Sequence, residues 1–127
     1  MAAQKHQFLW LFVVLVSCST FAAQPALEVN NPISDCLYIT NQSIRDKSGT
    51  LHLAARLDFK KPIGYCGCKS AMVSYHTYIV ENELARRINA GTFNSLDSRI
   101  DTIELAKLND AKEDQTLKLL FGCAVNE

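Results

Sequence analysis

The chain predicts an all-β fold: a small antiparallel β-sandwich of immunoglobulin-like architecture, with six or seven strands and two disulfides. Three observations carry this expectation. Leu51, Leu53, Ala55, Leu57 and Phe59 are apolar at every second position, with His52, Arg56 and Asp58 between them. That period of two marks a half-buried strand. The same alternation recurs at Leu117, Leu119, Phe121, Cys123 and Val125. Turn residues separate these runs from several weaker β-type runs, the pattern of a sandwich of short strands. An α+β fold with one short helix is the alternative.

Residues 1–22 read as an export signal. Lys5 supplies a short basic start, and Phe8 to Val16 is an unbroken apolar run. A bilayer span needs about 20 apolar residues, so this shorter run, followed by small residues, reads as a signal peptide. Thr20-Phe21-Ala22 places small residues for cutting before Ala23. Leu15-Val16-Ser17-Cys18 offers a second route, because it is similar to a lipobox in which Cys18 would be lipidated. The first route predicts a periplasmic protein. The second predicts an outer-membrane lipoprotein, in contact with a membrane only through acyl chains on Cys18.

Residues 23–34, with Pro25 and few apolar anchors, read as a flexible lead-in. Residues 35–127 then form a single disulfide-stapled β domain, one domain by length. Cys36-Leu37-Tyr38-Ile39-Thr40 is a short β-type run, and Asp46-Lys47-Ser48-Gly49 is a turn. After the Leu51–Phe59 strand, Lys60-Lys61-Pro62-Ile63-Gly64 breaks the pattern. Ser70 to Val80 resumes it with apolar bulk on both faces, Val73, Tyr75 and Ile79 opposite Met72, His76 and Tyr78. Bulk on both faces predicts a central strand. Glu83 to Asn89 alternates weakly, and Ala90-Gly91-Thr92 reads as a turn. Asp97 to Leu108 is ambiguous between a helix capped by Asp97 and a strand over Arg99 to Leu105; the strand is preferred. Asn109 to Asp114 is loop-like, and the Leu117–Val125 alternation carries Cys123 on its apolar face.

Charge excludes some functions. The chain has 13 basic and 13 acidic residues, and Lys5 is the only charge in 1–22, so the remainder of the chain is close to neutral. That balance carries no electrostatic footprint for nucleic acid. Lys60-Lys61 and Arg86-Arg87 read as solvated basic pairs.

Cys18 is removed or lipidated by either route, which leaves Cys36, Cys66, Cys68 and Cys123. An even count in a small exported domain predicts two disulfides. Cys66 and Cys68 stand two apart, and in a strand such residues share a face. Each can then meet a different partner, as Cys36–Cys66 with Cys68–Cys123 or as Cys36–Cys68 with Cys66–Cys123. Bonds closing such loops stabilise by about 3–4 kcal/mol each. The third pairing joins Cys66 to Cys68 in a tight, reducible ring and would be a redox couple. A copper reading uses the soft ligands Cys66, Cys68 and Met72, with His76 as a further candidate. In an extended strand Cys66 and His76 lie about 33 Å apart, and an oxidising compartment removes thiolates. There is no Gly-x-Ser-x-Gly, no His-Glu-x-x-His and no glycine-rich phosphate loop. No catalytic residue, metal or cofactor is expected.

The export signal, a cysteine near the mature start, Pro62 to Tyr75 (PIGYCGCKSAMVSY) and the late Leu119-Leu120-Phe121-Gly122-Cys123 together resemble one family. It is a family of small exported bacterial proteins defined only as a domain of unknown function. The resemblance implies an envelope location and four paired cysteines, and brings no catalytic residues. The functional expectation is a non-catalytic binding or interaction module, with a protein partner in the cell envelope and exposed strand edges open to β-augmentation. A periplasmic thiol-redox or copper-handling protein using Cys66 and Cys68 is the alternative.

Overall fold

A computed structural model describes residues 17, 25–96, 102–112 and 114–125. The signal segment, apart from Ser17, therefore lies outside the described residues, with Cys18 and the cleavage sites. So do Asp97 and the start of the strand expected from Arg99.

Among the described residues, seven strands form two sheets: β1 (Ala26–Asn30), β2 (Leu37–Lys47), β3 (Thr50–Phe59), β4 (Met72–Glu81), β5 (Leu84–Asn94), β6 (Thr102–Lys107) and β7 (Thr116–Cys123). One sheet has the order β1-β7-β4-β5 and the other β2-β3-β6. The fold is all-β, as the alternation predicts. The immunoglobulin likeness is one of architecture, because consecutive strands are arranged differently from the immunoglobulin order.

The core follows directly from the period of two. Leu51, Leu53, Ala55 and Leu57 of β3 are buried, as are Leu117, Leu119 and Phe121 of β7. Val73, Thr77 and Ile79 of β4 face the same interior. Phe93 joins the layers, its ring centroid 6.3 Å from Phe59 and 6.4 Å from Phe121. The central position expected for Ser70–Val80 is observed: β4 lies between β7 and β5.

The β2–β3 and β4–β5 hairpins are each closed by two residues with positive φ. Ser48 and Gly49 join β2 to β3 at φ 53° and 84°, and the Gly49 N–H donates to Asp46 Oδ1 at 3.0 Å. Asn82 and Glu83 join β4 to β5 at φ 49° and 66°. Two-residue turns of this hand match the right-handed twist of the flanking strands.

Four expectations are corrected. Within the flexible lead-in, Ala26–Asn30 is a strand, and it pairs with β7 in parallel, so the sandwich is not wholly antiparallel. Leu27 and Val29 face the core and their neighbours face outward. Ala90-Gly91-Thr92 is not a turn, because β5 runs through it. Gly91 stands opposite Tyr75, whose ring occupies the space a Cβ would need, and a glycine in a strand often marks such an approach. The β7 alternation stops at Cys123, and Val125 is exposed beyond it. Finally, Cys66 and Cys68 precede β4 rather than sharing a strand face.

Candidate functional site

Cys66 closes a short 3-10 turn, Ile63–Cys66, that begins after Pro62. Proline at this place sets the backbone angle and forgoes only a donor that has no helical partner. Gly67 follows at φ 89°, in the left-handed region that glycine enters without penalty. Its N–H donates to the Gly64 carbonyl at 3.1 Å, and the Cys68 N–H donates to the Ile63 carbonyl at 3.2 Å. This reversal, not strand alternation, separates the two sulfurs.

The bonds formed are Cys36–Cys66 and Cys68–Cys123. The first ties the loop to the residue before β2, and the second ties it to the end of β7. The direct Cys66–Cys68 couple is not formed. With every sulfur of the four in a bond, the set Cys66, Cys68 and Met72 offers no thiolate while these bonds stand. Met72 and His76 lie on β4 itself. Among the described residues, no three His, Cys, Asp or Glu side chains converge as a metal site, and no helix is long and apolar enough to cross a membrane.

The anchored loop forms one wall of a groove of about 470 Å³. Phe59, Pro62 and Leu96 give it apolar surface, and Ile63 and Cys68 lie in its lining. Ile63 is buried and pins the loop to the core. Leu96 is 78% exposed, held at the mouth because the Ser95 N–H donates to the Ala71 carbonyl at 2.8 Å. Lys60, Lys61 and Lys69 also line the groove, and none of its described lining residues is acidic. Lys60 rests its ammonium 3.4 Å above the Tyr38 ring, a cation–π contact. Lys61 and Lys69 are exposed.

Sequence reasoning treats Lys60-Lys61 as a solvated pair and does not single out Lys69 or Leu96. Their convergence depends on the two disulfides and on the β5 end, which no local pattern reveals. One local signal is available: Lys60-Lys61-Pro62 and Lys69 bracket the cysteine pair with cations and no acid.

A family model described as "Uncharacterized protein conserved in bacteria (DUF2195)" matches residues 11–126, and the chain belongs to that family. This agrees with the resemblance carried by Pro62 to Tyr75. No curated protein matches the chain. No solved structure matches it either.

Proposed function

We propose that this member of the DUF2195 family is an exported, non-catalytic binding module of the bacterial envelope. Its binding surface in this reading is the groove beside Cys68. The observation that carries the proposal is the pairing of two features in one loop. Its cysteines are committed to two disulfides, and its lysines and apolar side chains line a groove of ligand size. Rigid positioning of a loop by a scaffold is the usual basis of a recognition surface. Disulfides also persist in oxidising compartments, which supports a periplasmic location together with the signal-like residues 1–22.

Site-specific photo-cross-linking tests this in the bacterium. A photoreactive side chain replaces Leu96 at the groove, and in a second variant Leu84, exposed on β5. An adduct at position 96 that disappears in Lys61→Glu/Lys69→Glu is the expected result. Adducts at position 84 alone would replace the groove with strand-edge pairing to a protein partner. Free thiols at Cys66 and Cys68 in the exported protein would overturn the module reading in favour of thiol chemistry.

A further inference from the structure

We infer that the groove binds a single-chain amphiphile with an anionic headgroup, an inference that rests on the binding-module reading above. Its apolar tail lies against Phe59, Pro62 and Leu96, and its headgroup meets Lys61 and Lys69. Charge sets the sign of the headgroup. Three cations and no described acidic residue line the groove, although the chain as a whole carries no net charge. All three are exposed, but Lys60 is engaged on the Tyr38 ring, which leaves Lys61 and Lys69 for the headgroup.

The backbone decides against an extended peptide. A peptide added as a strand needs a row of free N–H and C=O groups. Along these walls four N–H groups are engaged internally, which breaks any continuous row. Lys60 donates to the Cys36 carbonyl, Cys68 to Ile63, Ser95 to Ala71, and Leu96 to Asn94 Oδ1. Pro62 has no N–H to offer. Recognition therefore falls to side chains, and the side chains are apolar surface and ammonium groups. An amphiphilic anion presents both complements in one small molecule.

Calorimetric titration of the oxidised exported protein tests this, with laurate and dodecyl phosphate held below micelle formation. Both are expected to bind at one site. Lys61→Glu/Lys69→Glu should weaken them on the order of 10-fold, because it replaces two attractions by repulsions. Leu96→Asp should weaken the same ligands by a comparable factor through lost apolar burial. All three positions are exposed, so the urea midpoint should not move. Equal binding of dodecyltrimethylammonium would overturn the inference, as would equal binding of inorganic phosphate alone. Binding to anionic vesicles without binding to the monomers would also overturn it. The cross-linking at Leu96 keeps the two levels apart. A lysine-dependent adduct without amphiphile binding removes this ligand class and leaves the module; loss of both removes both.

Discussion

Replacing Gly91 by alanine should destabilise the protein, and the same replacement should stabilise it once the Tyr75 ring is withdrawn. In most strands glycine to alanine gains about 0.5–1 kcal/mol. Here the added Cβ would meet the Tyr75 ring, with Cε1 at 2.7 Å and the hydroxyl and its carbon nearer still. Swinging the ring aside would give up its packing. It packs 6.4 Å from the Phe93 ring, which is itself buried against Phe121. Overpacking of this kind costs about 1–3 kcal/mol. Subtracting the propensity gain leaves a net loss of about 1 kcal/mol for Gly91→Ala, between about 0 and 2.5 kcal/mol. Tyr75→Leu keeps apolar bulk but no longer reaches across to β5. In that background Gly91→Ala should recover its gain of about 0.5–1 kcal/mol. Urea denaturation of the four proteins in the double-mutant cycle measures both steps. The same sign in both backgrounds would refute the claim that the ring is why position 91 is glycine.

Three further outcomes rest on single features. Thr77 Oγ1 is fully buried with no hydrogen-bond partner among the described residues, so Thr77→Val should stabilise by about 1 kcal/mol in urea melts. Glu83 holds φ 66° in the β4–β5 hairpin, and Glu83→Gly should raise stability by about 0.5–1 kcal/mol by relieving that conformation. Burial, and secondarily the Glu104 charge, raises the Tyr75 pKa above that of free tyrosine. The unfolded chain then releases this proton at lower pH than the folded one. Stability linked to Tyr75 is intact below about pH 10 and is lost as pH rises through the folded value. Thermal melts across that range should show a shallower alkaline loss in Tyr75→Phe.

The strands with two unlike faces were legible because burial imposes its own period on the residues. Leu51–Phe59 and Leu117–Cys123 therefore read directly as β3 and β7. Ser48-Gly49 was equally plain, since its backbone hand restricts the residue types. β1 was hidden by brevity: Leu27 and Val29 give two apolar positions only, and the pairing that makes them a strand comes from β7, far along the chain. Gly91 misled because glycine signals a turn and a close approach alike, and only the facing Tyr75 distinguishes them. The cysteine pairing had three solutions, two of which give Cys66 and Cys68 different partners. Gly67 and the 3-10 turn select one, by turning Cys66 towards Cys36 and leaving Cys68 for Cys123. The groove was the least legible feature, because Phe59, Lys69 and Leu96 meet only in the folded chain.

Mapping the disulfides of the oxidised protein, isolated from the bacterium, tests the central proposal that its cysteines staple a recognition loop and perform no chemistry. Trypsin leaves Cys66 and Cys68 on one peptide, so electron-transfer fragmentation of the linked assembly is required. The expected map is Cys36–Cys66, Cys68–Cys123 and no free thiol. Reduction should also remove about 4 kcal/mol for each loop, of 30 and 55 residues. A Cys66–Cys68 bond, or two thiols there in a protein that stays folded and takes up Cu(I), would contradict it.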